Sequence, residues 1–248
     1  MLAARDSGTP IELLSEEHEI PEAEAYAIQD LVVDRVRRAA GEGAAGYKIA
    51  MTSPATMALA GASEPAYGVL TGSMIRWSPA EVAPGELYQP RLEAELVFRI
   101  EDDLEPGAGA DEIRRASTLA PGLELPSARY RDWFGRMKVA DLVSDNTATG
   151  LLVVADSWRP AAELPLDGIR MRLRHDGRTV DQGVSSAVFG SPELAVAWLS
   201  ARLAGRGRAL RAGTLVSSGT FTMPIPAEEG LYEAEFDGVG SVAVRFRS

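Results

Sequence analysis

The chain of 248 residues contains no cysteine, two histidines (His18 and His175) and two lysines (Lys48 and Lys138), so 23 of its 25 basic residues are arginine. Without cysteine there is no disulfide, no thiolate nucleophile and no sulfur-ligated zinc. Two histidines cannot build a three-histidine metal centre, so a bound metal has to take carboxylate oxygens, which suit hard cations such as Mg²⁺ or Mn²⁺. Aromatic residues are scarce at 6%, and positive charge is outweighed, 25 basic against 36 acidic residues leaving a net charge of −11. Such a chain lacks the basic face that nucleic acids and anionic membranes require, and neither is expected as a partner. No apolar run approaches the length of a membrane span, and Met1 to Ser15 holds one arginine and a Gly-Thr-Pro break where a signal peptide needs a continuous apolar stretch. A soluble, cytoplasmic protein is expected. Gly-x-Gly-x-x-Gly, Walker-type and Gly-x-Ser-x-Gly motifs are also missing, which disfavours nucleotide-binding folds and serine hydrolases.

What is present is enough apolar sequence, 46%, to bury a full core. Pro21 to Ala40 repeats apolar residues at helical spacing through Tyr26, Ile28, Leu31, Val32 and Val36, with an acidic start and a basic finish that suit the helix dipole. Ser53-Pro54 and Ser191-Pro192 open two further helices that close near Gly61 and Gly205, and a weaker one starts near Asp111. Leu92–Ile100, Leu151–Ala155, Ile169–His175, Thr214–Ser218 and Val242–Phe246 read as strands, and Asp176-Gly177 as a hairpin turn. Helices gather early and strands late without regular alternation. The expected class is α+β, with a mainly helical region over residues 1–68 and a β-rich catalytic domain over 69–248.

Within Arg91-Leu92-Glu93-Ala94-Glu95-Leu96, strand alternation places Glu93 and Glu95 on one face, with Cα atoms roughly 6.6 Å apart at about 3.3 Å per residue. That spacing fits two carboxylates converging on a cation, and equally a solvated acidic face. Glu124 lies in an apolar stretch between Pro121 and Pro126, where a buried carboxylate needs a cation or hydrogen bonds to stay ionised; exposure to water is the other reading. Lys48, in Gly46-Tyr47-Lys48-Ile49, is either a surface lysine or, in a chain that uses arginine for its surface, an amine retained for proton transfer. Ser217-Ser218-Gly219-Thr220-Phe221-Thr222 could bind a carboxylate through hydroxyls and backbone N–H groups, or be a tight turn; Ser144-Asp145-Asn146-Thr147 is a polar loop. The two histidines read as surface residues.

Taken in order, Gly46-Tyr47-Lys48-Ile49, Glu64-Pro65-Ala66-Tyr67-Gly68, Gln89-Pro90-Arg91-Leu92-Glu93-Ala94-Glu95, Leu123-Glu124, Ser144-Asp145-Asn146 and Ser218-Gly219-Thr220-Phe221 resemble the 2-keto-4-pentenoate hydratase and 4-oxalocrotonate decarboxylase family of the fumarylacetoacetate hydrolase superfamily. The resemblance covers most of the chain. It implies a mixed β-roll catalytic domain and Mg²⁺ or Mn²⁺ on Glu93, Glu95 and Glu124. It also implies Lys48 as the active-site lysine, substrate contacts from Asp145, Asn146, Ser218, Gly219 and Thr220, and assembly into homo-oligomers. The implied activity is that of a metal-dependent lyase in aromatic compound catabolism, hydrating a 2-hydroxy-dienoate through its 2-oxo-enoate form. The alternatives are decarboxylation of a 2-oxo-dioic acid, a related 2-oxo acid reaction in a biosynthetic pathway, a non-catalytic partner that binds small acids, and C–C bond hydrolysis. One departure matters. Hydratases commonly carry Asp-x-Pro-Asp before the Phe/Tyr-Gly pair, whereas this chain has Ser63-Glu64-Pro65-Ala66; Ala66 cannot serve as a base, and Glu64 is the acid left there to substitute.

Overall fold

The computed structural model describes residues 1–248, the side chain of Asp6 excepted. Two short helices, Leu2–Ser7 and Leu14–Glu17, precede the long helix Glu22–Ala40. Glu22 and Glu24 in its first turn and Arg37 and Arg38 in its last complement the helix dipole. Its buried stripe is Ala25, Tyr26, Gln29, Val32 and Val33, which packs against the short helix Val139–Ser144. Leu31, an expected member of that stripe, is 69% exposed because the buried face is centred one position round the helix. The polar member, Gln29, spends its amide N–H groups inside the seam: its Nε2 donates to the carbonyls of Tyr67 at 2.8 Å and Val143 at 3.3 Å.

Two sheets form the body. The larger has nine strands, in the order Ala66–Thr71, Ala44–Ala50, Leu215–Thr220, Arg91–Ile100, Ser117–Leu125, Leu151–Val154 and Ile75–Trp77, with Ile225–Pro226 and Arg159–Pro160 adding short pairings. It is mixed: Ala44–Ala50 runs parallel to Leu215–Thr220, whereas Arg91–Ile100 is antiparallel to both its long neighbours. The second sheet has five strands, ordered Arg178–Val184, Arg170–His175, Gly230–Phe236, Gly240–Phe246 and Ala80–Val82. Side chains such as Phe98, Leu119, Phe236 and Val244 are buried in the common core. The α+β class and the mixed sheet expected from sequence are both present. The four later helices lie at Pro54–Ala60, Ala110–Arg115, Val139–Ser144 and Pro192–Ala204. The expected division at residue 68 falls inside the strand Ala66–Thr71, and Ala44–Ala50 also pairs into the nine-stranded sheet, so the part that is helical throughout ends before Ala44.

Register sets the site. Glu93 stands directly opposite Glu124, Glu95 opposite Thr220, and Lys48 opposite Ser217. Four neighbouring strands thus bring one amine, two hydroxyls and three carboxylates to one patch of the sheet. Two carboxylates directly opposite one another across antiparallel strands repel, which the fold tolerates only with compensating positive charge.

Candidate metal centre and active site

Glu93, Glu95 and Glu124 each present an oxygen such that all three atoms lie within 4.8 Å of one another. Glu95 and Glu124 are fully buried and Glu93 partly so, which excludes the solvated acidic face. Glu95 is aimed by its neighbours: its Oε2 accepts from Ser217 Oγ at 2.5 Å and from the backbone N–H of Gly219 at 2.9 Å. That N–H is available because the register of Leu215–Thr220 slips between Ser217 and Thr220. Gly219 adopts φ 118°, where a Cβ would also overlap the Thr52 side chain.

Lys48 Nζ lies 2.9 Å from Glu124 Oε1, both side chains being buried. Glu95 Oε1 and Glu124 Oε2 have no hydrogen-bond donor, although buried carboxylate oxygens ordinarily find one. The charges do not balance either, with three carboxylates against one amine. Burial, followed by repulsion from Glu124, pushes Glu93 up to about 7. Burial and the other two carboxylates raise Glu95 far above the ordinary carboxylate range, and burial raises Glu124 despite the Lys48 ion pair. Burial pulls the Lys48 amine down, but attraction from Glu124, Glu93 and Glu95 outweighs it and holds the amine above the usual lysine value. Three converging oxygen donors, two of them with an orphaned buried oxygen, fit a hard divalent cation: its charge would offset the excess, and its coordination would satisfy the orphaned atoms.

Beside the carboxylates opens a cleft that Glu93 lines. Lys48, Glu93, Thr52 and Thr220 line its polar part, and Thr147 and Ala148 form a wall. Asn146, Thr147 and Ala148 take φ of 55°, 53° and 54°, a left-handed turn that non-glycine residues enter at a cost. Asn146 holds the turn by accepting from Val69 N at 2.8 Å and donating to Val69 O at 2.9 Å. The turn also needs Gly68: a Cβ there would overlap Asn146 O and the hydroxyls of Thr147 and Thr149.

The structure therefore brings Lys48, Glu93, Glu95, Glu124, Gly219 and Thr220 to one patch of the sheet. It directs other expected side chains elsewhere. Asp145 pairs with Arg129 Nε at 2.6 Å and accepts from Arg129 N at 2.8 Å, Asn146 serves Val69, and Ser218 Oγ donates to Leu96 O at 2.8 Å. None of these three lines the cleft. Glu64 lies 3.3 Å from Arg202 Nη1 and accepts from Trp198 Nε1 at 3.4 Å; residues 63–66 line a separate depression with Ile20 and Val139, so Glu64 is not poised over the carboxylates. Ser217, in the segment expected to bind a carboxylate, does so toward Glu95, whereas the hydrophobic wall of Trp133, Phe134, Met137 and Leu142 is not marked by any sequence motif. Two adjacent aromatic residues in an aromatic-poor chain were the available signal.

A family model for the fumarylacetoacetate (FAA) hydrolase C-terminal region matches residues 63–247. The chain is 32% identical to a 2-hydroxyhexa-2,4-dienoate hydratase of Comamonas testosteroni over 98% of its own length and 93% of the relative's. It is 34% identical to a 2-keto-4-pentenoate hydratase of Burkholderia vietnamiensis, over 90% and 85% of the two chains. Among solved structures, 4-oxalocrotonate decarboxylase from Pseudomonas putida G7, complexed with magnesium and adipate, superposes with a TM-score of 0.90 at 27% identity, covering 97% of this chain and 92% of the other.

Proposed function

Because the chain belongs to the fumarylacetoacetate hydrolase family, on the branch of 2-keto-4-pentenoate hydratases and 4-oxalocrotonate decarboxylase, we propose that it is a divalent-metal-dependent hydro-lyase adding water to a 2-hydroxy-dienoate. The observation that carries the reading is the buried, charge-unbalanced trio Glu93, Glu95 and Glu124 with its orphaned oxygens beneath an open cleft. Glu93, Glu95 and Glu124 would hold Mg²⁺ or Mn²⁺. Bound there, the cation supplies Lewis acidity toward the carboxylate and C2 oxygen of the substrate.

The chain's own groups then have defined work. Lys48, protonated and held by Glu124, faces the cleft and moves protons: the dienol O–H proton leaves, C5 gains one, and the 2-oxo-3-enoate results. Water adds its oxygen at C4 and C3 takes a proton, giving a 4-hydroxy-2-oxo acid. The hydroxyl of Thr52 and that of Thr220 border the same floor and orient the polar end, and the backbone N–H of Gly219 and Ser217 Oγ keep Glu95 pointed. No acidic residue of the 63–66 segment lines the cleft, so proton transfer falls to Lys48 and its carboxylate partners.

Decarboxylation of a 2-oxo-dioic acid is the second reading, favoured by one observation: Ala66 is buried in a strand pair with Ala50 and offers no base for activating water. Incubation with Mg²⁺ and a 2-hydroxy-dienoate decides the matter; loss of the dienol absorbance with a 4-hydroxy-2-oxo acid as product supports hydration, and CO₂ release from the dioic acid without any hydration refutes it. The proposal also carries assembly into a homo-oligomer and a cytoplasmic location. Light scattering and cell fractionation check these. No described helix is long and apolar enough to cross a membrane.

A further inference from the structure

Between the strand Ser117–Leu125 and the helix Val139–Ser144 the chain runs without regular secondary structure, apart from a single bridge between Tyr130 and Ile11. Trp133, Phe134, Gly135 and Met137 of this stretch line the cleft. The stretch passes through left-handed backbone at Asp132 (φ 47°) and Gly135 (φ 77°). Little holds it from within: Arg136 N and Met137 N both donate to Trp133 O, at 3.2 and 3.3 Å. From the neighbouring strand, Gln89 O accepts from Trp133 Nε1 at 3.2 Å, and the Arg91 guanidinium stacks on Phe134, 3.9 Å from the ring centroid. A wall so thin in internal hydrogen bonds belongs to the low-stability end of a fold unless something outside fixes it.

The segment Ile11–Glu17 supplies that support. Ile11 N donates to Arg129 O at 3.0 Å, and Ile11 O accepts from Arg131 N at 2.8 Å. Glu12 pairs with Arg131 Nε and Glu16 with Arg136 Nη2, each at 2.8 Å. Between them Ser15 N donates to Asp141 Oδ1 at 2.8 Å, while Oδ2 of the same carboxylate accepts from Lys138 N at 3.0 Å. Asp141 is fully buried, so a single acid joins the segment to the end of the wall. Leu13, 4% exposed, seats the segment in the core. These contacts bracket the wall, since Arg129 and Arg131 precede Trp133 in the chain, and Arg136 and Lys138 follow Phe134.

We propose that Ile11–Glu17 is a brace that pre-organises the Trp133–Met137 wall, and that Glu12 and Glu16 are positioning residues for the ligand the cleft takes. The inference rests on the cleft being the substrate site, as proposed above, and holds for hydration and decarboxylation alike. A wall that is in place for part of the time lowers apparent affinity by that fraction, whereas the complex, once formed, keeps the same carboxylates and Lys48 around the reacting atoms. Weakening the brace therefore raises KM and spares kcat. Both ion pairs are about half exposed, and pairs of that kind contribute modestly, so losing both should weaken ligand affinity by roughly three- to tenfold. Exposure also makes them sensitive to salt, because the Debye length falls from about 10 Å at about 0.1 M to about 3 Å at about 1 M.

The test uses the Mg²⁺-loaded full chain and its Glu12→Ala/Glu16→Ala variant, which keeps the backbone bonds of Ile11 and Ser15. Calorimetric titration with 2-oxopentanoate, a 2-oxo acid that cannot be hydrated, should show roughly three- to tenfold weaker binding in the variant, with Mg²⁺ affinity within about twofold of wild type. With a 2-hydroxy-2,4-dienoate, KM should rise by a similar factor while kcat stays within about twofold. Added salt should weaken 2-oxopentanoate binding more in the wild type than in the variant. Glu12→Arg alone should weaken binding, and Glu12→Arg with Arg131→Glu, which restores the pair in reversed sense, should recover it. A lowered thermal midpoint with ligand affinity unchanged would mark a merely structural contact and overturn the brace, as would a fall in kcat at constant KM or an equal salt response in the two proteins. Failure of the wild type to bind 2-oxopentanoate overturns the substrate-site reading and the brace with it; binding that the double variant retains unchanged overturns the brace alone.

Discussion

Two buried clusters of charge lie in this molecule, and they are built on opposite principles. Around Arg129 and Asp145, one cation faces one carboxylate at 2.6 Å, and the guanidinium also donates to the carbonyls of Ser127, Thr149 and Asp145. Burial raises the Asp145 carboxyl, while Arg129 pulls it back. Around Lys48, one cation faces three carboxylates, and buried oxygens of Glu95 and Glu124 are left without a donor. The balanced cluster ties the Ser127–Arg129 segment to the loop at Asp145 and is scaffold. The unbalanced one is incomplete on its own, and its missing charge opens onto the cleft.

The contrast can be broken most sharply at Glu95. Glu95→Gln should lower kcat by roughly 10³-fold, because a lost electrostatic contact at the reacting centre is worth several kcal/mol, and should abolish Mg²⁺ binding in calorimetry. Its thermal midpoint without metal should hold, since burial and the neighbouring carboxylates already disfavour the charged form of Glu95 and a glutamine oxygen can still accept from Ser217 and Gly219. Arg129→Ala should do the reverse, costing about 3–5 kcal/mol in urea unfolding by stranding Asp145, with Mg²⁺ affinity retained in the folded fraction. Full activity in Glu95→Gln, or an unchanged unfolding midpoint in Arg129→Ala, would erase the distinction.

Mg²⁺ at a hundredfold excess over its dissociation constant should stabilise the wild type by about 2.7 kcal/mol and leave Glu95→Gln unmoved in parallel melts. Gly68→Ala should cost about 1–3 kcal/mol by overpacking against the Asn146–Thr149 segment, with KM rising more than kcat falls because Thr147 and Ala148 line the cleft. The remaining effect is on pH dependence. Glu93 titrates near 7 in the folded protein, above its value in the unfolded chain, so its contribution without metal is full below the unfolded pKa. That contribution is lost as pH rises through about 7. Glu93→Gln should flatten this slope, and a metal-free wild type that gains stability over the same range relative to that variant would contradict it.

How much of this was legible follows from particular residues. The alternation of Arg91–Ile100 put Glu93 and Glu95 on one side, and the scarcity of lysine singled out Lys48, because both are local facts of pattern and composition. The same local reading placed Asp145, Asn146, Ser218 and Glu64 in the site. Each is polar and near functional residues in sequence, yet each spends its side chain on a partner distant along the chain: Arg129, Val69, Leu96, or Arg202 with Trp198. Periodicity carries no information about such partners. The hydrophobic wall was missed for a similar reason, since Trp133 and Phe134 read as core until the cleft is seen to open between them and Leu59.

By itself the sequence determined the chemistry available: oxygen ligands only, one amine of note, strands with carboxylates two residues apart, and no basic surface. Only the tertiary structure decided that Glu93 stands across from Glu124, that Lys48 reaches across two intervening strands to pair with Glu124, and that Lys48 and Glu93 share a cleft with apolar side chains. The reason is physical. Side-chain identity and alternation are properties of a segment, whereas burial, the repulsion that lifts Glu93, and the partner that claims each polar atom depend on strand register and packing between segments far apart in the chain.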